Sequence, residues 1–166
     1  MSRSNMTPGN FSNFSNNSEE AVRQLNSLLR GEISACETYR MAIDKVADSD
    51  QGAMNNVSIL REIETEHELA AQELRSRIAE LGGRPSDSSG AWGAWAQTVE
   101  GTMNLFGDTS ALKGLKEGEE HGLKDYQEAL SDVDPRSKQL ISGQLIPQQQ
   151  RHLSLLNQLM NMSSHA

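Results

Sequence analysis

Apolar residues recur at intervals of three and four along four long stretches of the chain, which is the spacing of one face of an α-helix. In the clearest stretch the steps alternate between three and four on the line Val57, Leu60, Glu64, His67, Ala71, Leu74, Ile78 and Leu81. The pattern predicts helices over about residues 19–46, 54–81, 109–132 and 135–161. The sequence therefore predicts an all-α fold.

Residue types at the ends of these stretches support the predicted limits. The first helix is expected to start near Ser18, and Gly82 is a typical helix terminator. Asp134 is a good N-cap and Pro135 suits the first position of the fourth helix. Pro147 falls inside that helix, where it removes one hydrogen bond and is expected to bend the axis.

Two segments lie outside the four helices. Residues 1–17 are rich in Ser and Asn and have no apolar periodicity, so we expect a disordered polar tail before a helical domain at 18–162. Residues 84–108 begin with Ser and Gly and then continue as an amphipathic stretch, which predicts a short connecting helix. Its apolar face would hold Trp92, Trp95, Val99, Met103 and Phe106.

The chain repeats itself weakly, because GEISACETYRMAI in the first half aligns with GEEHGLKDYQEAL in the second. The matched pairs are Glu32 with Glu119, Tyr39 with Tyr126, and His67 with His152. Each half thus supplies one helical hairpin. Two hairpins joined by a crossover that contains a short helix predict a four-helix bundle.

Titratable residues interrupt the apolar faces of these helices near their midpoints: Glu32, Glu64, His67, Glu119 and His152. Helices packed in a bundle align their middles at one height, so we expect these side chains to converge at its centre. Burying unpaired carboxylates together costs several kcal/mol each. A bound cation would remove that cost, and the pattern therefore predicts a metal site.

Spacing adds detail to this prediction. Glu64 and His67 are three residues apart and so share one helix face, as paired metal ligands do in bundles. The equivalent position before His152 is Gln149, whose amide oxygen is only a weak ligand for a hard metal ion. Tyr39 and Tyr126 each follow a glutamate by seven residues, and hydrogen bonding to a ligand, passage of an electron or ordinary core packing would explain them.

Composition excludes several classes of function. The net charge of −8, with no cluster of Lys or Arg, disfavours nucleic acid and anionic membranes as partners. No apolar run reaches the roughly 20 residues of a membrane helix, and the N-terminus has no apolar segment of a secretory signal, so a cytoplasmic protein is expected. A single cysteine, Cys36, rules out an internal disulfide and a Cys-x-x-Cys metal site.

The stretches RGEISACETY and EIETEH resemble the first half of rubrerythrin and other ferritin-like proteins. The wider sequence, from LAAQELRSRIAELGGRP through SSGAWGAW to EGEEHGLKDYQEAL, resembles a bacterial branch of ferritin-like four-helix proteins described as a domain of unknown function. That resemblance implies a ferritin-like four-helix bundle with a carboxylate and histidine metal site, and stress-related associations without an assigned reaction. The implied ligands are Glu32, Glu64, His67, Glu119 and His152, and Gln149 departs from the family's pattern.

These observations lead to two principal hypotheses. The first is an iron-binding protein that oxidises Fe(II) with O₂ or peroxide at a di-iron site, with a single metal, manganese or zinc left open. The second is a non-enzymatic, stress-associated bundle with a degenerate metal site, which acts by dimerisation or by binding a partner. A subunit of an iron-storage cage is disfavoured, because no fifth helix is evident after the fourth.

Overall fold

Four long helical stretches make up the fold, which a computed structural model describes for residues 9–48, 54–93 and 108–163. The helices are α1 (Gly9–Asp48), α2 (Met54–Glu80), α3 (Asp108–Ala129), α4 (Pro135–Leu140) and α5 (Ile146–Ser163). A π-helical segment, Ile141–Leu145, joins α4 to α5, so these three elements form one continuous fourth helix. The described ranges contain no strand. The predicted all-α fold is confirmed.

The first helix is longer than the sequence predicts. It begins at Gly9 and not near Ser18, so the predicted helix start is wrong by about two and a half turns. Once a helix is nucleated, extending it by one residue requires little free energy. Ser and Asn have helix propensities only a few tenths of a kcal/mol less favourable than those of good helix formers. Residues 9–17, expected to belong to a disordered tail, are the start of this helix, and residues 1–8 lie outside the described ranges.

The second helix ends in the glycine-dependent turn that its sequence predicts. Gly82 has a positive φ of 77°, a conformation that costs a glycine little. The amide of Gly83 donates to the Ile78 carbonyl at 2.9 Å, and the amide of Gly82 donates to the Ala79 carbonyl at 2.9 Å. These two bonds satisfy carbonyls that the helix end leaves without partners, so the stop at Gly82 is confirmed.

The fourth helix begins at the predicted cap. The Asp134 carboxylate accepts hydrogen bonds from the backbone amides of Arg136 at 3.0 Å and Ser137 at 3.2 Å, and Pro135 occupies the first helical turn. Both features were expected from the Asp-Pro pair. The cap fixes where the second hairpin turns back on itself.

Pro147 distorts this helix by widening a turn. The π-helical segment ends two residues before it, and the Ile146 amide donates to the carbonyl of Ile141, five residues earlier. A proline has no N–H and its ring crowds the preceding turn, so a single wide turn is a common accommodation. The widened turn lies one helical turn before Gln149.

Two apolar clusters form the core, one on each side of the bundle centre. The first includes Leu25, Leu29, Leu74, Ile78, Ile141 and Leu145, and the second includes Ile43, Leu60, Ile63, Leu115, Leu156 and Leu159. On every long helix, the residues between these clusters are the ones that interrupt its apolar face. None of the helices in the described ranges is long and apolar enough to cross a membrane.

The start of the crossover packs along α1. Asn26 accepts a hydrogen bond from the Ser86 amide at 2.7 Å and donates to the Arg84 carbonyl at 3.0 Å. Ser89 donates to Glu37 at 3.0 Å, just before a short 3₁₀ turn at Gly90–Trp92. The rest of the predicted connecting helix lies outside the described residues.

Candidate metal centre

Four titratable side chains meet between the two apolar clusters, one from each long helix. Glu32 comes from α1, His67 from α2, Glu119 from α3 and His152 from α5, and none is more than 5% exposed. The structure thus brings together four of the five side chains that the sequence places at mid-helix. Charged side chains are rarely buried to this extent unless they are paired or bind a metal ion.

His67 lies between the two glutamates. Its Nδ1 is 2.7 Å from Oε2 of Glu32, and its Nε2 is 2.9 Å from Oε1 of Glu119. Both ring nitrogens therefore face carboxylates inside the bundle. This imidazole connects the first hairpin with the second.

His152 contacts the same glutamate from the other side. Its Nδ1 is 3.2 Å from Oε2 of Glu119, and its Nε2 is 2.8 Å from Oε2 of Glu66. The contact with Glu66 therefore holds the ring of His152 with Nδ1 directed towards Glu119. The imidazoles of His67 and His152 meet edge to face, with ring centroids 4.7 Å apart.

Glu119 is the centre of the arrangement. His67, Glu119 and His152 each offer one ligand atom, and these three atoms all lie within 4.8 Å of one another. A carboxylate with two flanking imidazoles is a common donor set for divalent transition metals. Glu32 is the next carboxylate, on the far side of His67.

The two tyrosines hold the two glutamates reciprocally. Tyr39 of α1 donates to Oε1 of Glu119 in α3 at 2.5 Å, and Tyr126 of α3 donates to Oε1 of Glu32 in α1. This exchange requires the two helices to run antiparallel. Among the explanations that the sequence left open for the tyrosines, the structure shows hydrogen bonding to the glutamates.

Gln149 lies inside the cluster, where it acts as a donor. Its Nε2 donates to Oε2 of Glu119 at 2.6 Å and to the Glu119 carbonyl at 3.1 Å. Gly122 makes room for it, since a Cβ at that position would lie 2.8 Å from the Gln149 nitrogen. The amide thus compensates part of the negative charge of Glu119, where a carboxylate would add to it.

Glu64 is not part of the cluster, which corrects its predicted central place. Its carboxylate accepts a hydrogen bond from Nε of Arg40 at 2.8 Å on the outer side of the α1–α2 pair. Ile63, fully buried four residues before His67, takes the inward position. A spacing of three or four residues allows either position to face inward, and the apolar side chain gains more from burial.

Glu66 is the site residue that the sequence analysis misses, because its position predicts a solvated helix face. Its carboxylate contacts His152 and is also paired with Arg151, which reaches Glu62 at 2.7 Å as well. Glu62 and Glu66 are one turn apart, and Arg151 directly precedes His152. This acidic pair on one helix, with an arginine beside the histidine on the facing helix, could have indicated the contact from the sequence.

The two buried glutamates stabilise positive charge on the groups that lie between them. Burial opposes charge on His67, but Glu119 and Glu32 outweigh burial and raise the pKa of this imidazole to about 10. Burial also opposes ionisation of Glu119, yet the two imidazoles hold its pKa well below the ordinary value. Burial and the adjacent carboxylates raise the pKa of Tyr39 and of Tyr126, so both phenols keep their protons.

A cavity of about 60 Å³ lies between α1 and α3 beside these groups. Its inner wall includes Glu32, His67, Glu119, Tyr39, Tyr126 and Gln149. The cluster therefore borders a cavity large enough for a small ligand.

Known proteins agree with this geometry at the level of fold. The family model described as Domain of unknown function (DUF2383) matches residues 20–132, about two thirds of the chain. Comparison with curated proteins finds no match. A solved structure of a ferritin-like, diiron-carboxylate protein from Bacillus anthracis str. Ames is similar, with 18% identity and a TM-score of 0.68 over 87% of this chain and 97% of the other. The predicted ferritin-like four-helix bundle is confirmed.

The donor set of this chain fits one metal ion more readily than two. His67, Glu119 and His152 lie close enough to surround one ion after side-chain movements of about 1 Å, given metal–ligand distances near 2.1 Å. A second ion would need bridging carboxylates at the positions of Glu64 and Gln149. The first of these is turned towards Arg40, and the second is an amide.

Proposed function

We propose, from the premise that this chain belongs to the DUF2383 family and has a ferritin-like fold, that its buried cluster binds a divalent metal ion and that the metal is iron. The ligands are His67, Glu119 and His152, with Glu32 the nearest further carboxylate. One observation carries the proposal: three buried ligand atoms from three helices lie within 4.8 Å of one another.

The chemistry of the donors supports a metal of the iron, manganese and zinc group. Imidazole and carboxylate ligands suit these ions, whereas thiolate ligands would favour softer ones. Cys36 lies one turn from Glu32, but burial, with the Glu32 charge, raises its pKa to about 12, so it stays a thiol. The cluster is therefore an oxygen and nitrogen site.

Iron bound here would supply one-electron exchange with an oxidant such as O₂ or peroxide. The protein's own side chains hold the ligands for that chemistry. Tyr39 and Tyr126 donate to Glu119 and Glu32 and so fix one oxygen of each carboxylate. The contact with Glu66 fixes the ring of His152, which keeps Nδ1 directed inward.

A second candidate is metal binding without turnover. Gln149 in place of a carboxylate and the outward turn of Glu64 favour it, because both leave the cluster short of ligands for a second ion. Oxygen consumption on adding Fe(II) to the metal-free protein separates the two candidates. The oxidase predicts consumption in proportion to the iron added, and the binding protein predicts none above the uncatalysed rate.

Thermal melts with Fe(II), Mn(II) or Zn(II) test the site itself. Metal binding to the folded state should raise the Tm, and the increase should grow with metal concentration. Glu119→Gln should abolish this rise, since it removes the shared carboxylate. Glu64→Gln is the matched control, because it removes a carboxylate from the middle of a neighbouring helix but outside the cluster, and its Tm should still respond to metal.

Two results would contradict the proposal. If the wild-type Tm does not respond to any of the three metals, the buried residues are a structural hydrogen-bond network. If Glu64→Gln loses the response and Glu119→Gln keeps it, the ligands are not those named here.

A further inference from the structure

The cavity between α1 and α3 joins the buried cluster to the protein surface. Its inner wall is formed by fully buried groups that include Glu32 and Glu119, whereas His121 and Asp125 at its other side are 51% and 30% exposed. A single cavity lined by both kinds of residue is a passage from solvent to the cluster. The rest of its wall combines the small residues Gly31, Ser34, Ala35, Gly118 and Gly122 with Leu28, Thr38 and Leu115.

Two groups at the outer end are suited to hold a divalent cation briefly. His121 and Asp125 are one turn apart on α3, and His121 Nε2 is 3.6 Å from Oδ2 of Asp125. Each offers a ligand atom to an ion that arrives from solvent. The carboxylates of Glu32 and Glu119 lie behind them along the same cavity.

On two other faces around the cluster, the surface carboxylates are paired with a guanidinium. On the α1–α2 face, Arg40 bridges Glu64 and Glu68, and on the face between α2 and the fourth helix, Arg151 bridges Glu62 and Glu66. By contrast, none of the described residues that line the cavity is Lys or Arg. On those two faces the carboxylates that could attract a cation already share a guanidinium, whereas the described residues that line the cavity include none.

We infer that divalent metal ions enter the cluster through the α1–α3 cavity and that His121 and Asp125 form a transient cation site at its mouth. This inference rests on the proposed function, since it concerns how the metal reaches its ligands. An ion held at the mouth passes inward to Glu32 and Glu119 and then to the two imidazoles. His121 and Asp125 do not touch the ion in its final position.

The kinetics of metal binding distinguish this route from others. A residue that contacts the ion only on entry changes the association and dissociation rates by the same factor and leaves the affinity unchanged. We expect Asp125→Asn to slow association of Co(II) about tenfold at low salt, as loss of a steering charge does, with less effect at high salt. His121→Gln should act in the same direction.

A variant that fills the passage provides an independent check. A Cβ at Gly31 would meet no atom within 4 Å, so Gly31→Val places two methyl groups in the cavity without a clash at its Cβ. We expect slower association of Co(II) with unchanged affinity. Gly31→Ala, a smaller change that also favours the helix, should show a weaker effect and guards against misfolding of the valine variant.

The experiment uses full-length, metal-free protein mixed with Co(II) in a stopped-flow instrument, with visible absorption as the signal and equilibrium titration alongside. Glu128→Gln is the control, since it removes one negative charge from α3 at a residue that does not line the cavity. Its association rate should stay within about twofold of wild type.

Three outcomes overturn the inference. If Asp125→Asn and Gly31→Val both bind Co(II) at the wild-type rate and with the wild-type affinity, ions enter the cluster by another route. Weaker affinity in Asp125→Asn with an unchanged dissociation rate makes Asp125 a ligand of the final site. Absence of Co(II) binding in the wild type overturns the proposed function, and the entry route with it.

Discussion

The two helical hairpins carry the same set of chemical groups. In the first, α1 supplies Glu32 and Tyr39 and α2 supplies His67, and in the second the matching groups are Glu119, Tyr126 and His152. Each tyrosine donates to the glutamate of the other hairpin. At these positions the molecule is close to two-fold symmetric, and both hairpins contribute to one site.

The hairpins differ at the residue three before each histidine. Glu64 of the first hairpin turns outward to Arg40, whereas Gln149 of the second points inward and donates to Glu119. The interior already holds two carboxylates, and a third without a compensating charge would be costly to bury. The comparison shows that the site accepts a neutral donor at this position and leaves the third carboxylate near the surface.

The largest expected effect comes from making the second hairpin like the first. Gln149→Glu replaces a donor by a carboxylate 2.6 Å from Oε2 of Glu119, so the metal-free protein should lose about 4 kcal/mol of unfolding free energy at neutral pH. Added metal should recover much of this loss, because the new carboxylate supplies a ligand for a second ion. Chemical denaturation with and without metal measures both quantities.

Gln150→Glu is the control, since it makes the same chemical change at the exposed neighbouring position and should shift stability by no more than about 0.5 kcal/mol. Equal effects of the two substitutions would show that Gln149 does not face Glu119.

The helices and most of the cluster could be predicted from the sequence, because mid-helix height and apolar spacing bring Glu32, His67, Glu119 and His152 together. Whether Ile63 or Glu64 faces the interior could not be predicted in this way. Neighbouring positions differ by 100° around the helix, and a spacing of three or four residues leaves that much freedom. Long-range pairing with Arg40 and the full burial of Ile63 decide it, and neither is visible in a periodicity.

The next largest effect concerns the protonated imidazole of His67 in the first hairpin. Because the folded pKa of His67 is raised to about 10 from 6.5, its stabilising contribution is complete below pH 6.5 and is lost as the pH rises towards 10. The free energy of unfolding should therefore fall by a few kcal/mol between pH 6.5 and pH 8.5.

Denaturation of metal-free protein between pH 6 and 10 checks this loss. His67→Gln should flatten the profile, whereas His152→Gln should keep the slope, because it leaves His67 between its two carboxylates. Retention of the full slope in His67→Gln would assign the pH dependence to another group.

The tyrosines test the symmetry directly. Tyr39→Phe and Tyr126→Phe each remove one hydrogen bond to a buried carboxylate, which should cost about 2 kcal/mol in either variant. The two losses should be of similar size, since each phenol donates to a buried glutamate of the other hairpin. Urea denaturation of both variants gives the comparison, and a loss in only one would show that the hairpins share a sequence pattern without sharing its role.

The smallest effect concerns Glu66, which has no counterpart on the His67 side, since both nitrogens of His67 face carboxylates within the cluster. Glu66→Gln weakens the contact that orients His152, so metal affinity should fall about tenfold while the metal-free fold persists. Glu62→Gln is the matched control, because Glu62 also pairs with Arg151 but makes no contact with a histidine. If both variants lose affinity equally, Arg151 and the surface charge matter and the orientation of His152 does not. If only Glu66→Gln loses affinity, with an altered Co(II) spectrum, the second hairpin's histidine depends on a carboxylate of the first, and this dependence breaks the two-fold symmetry of the site.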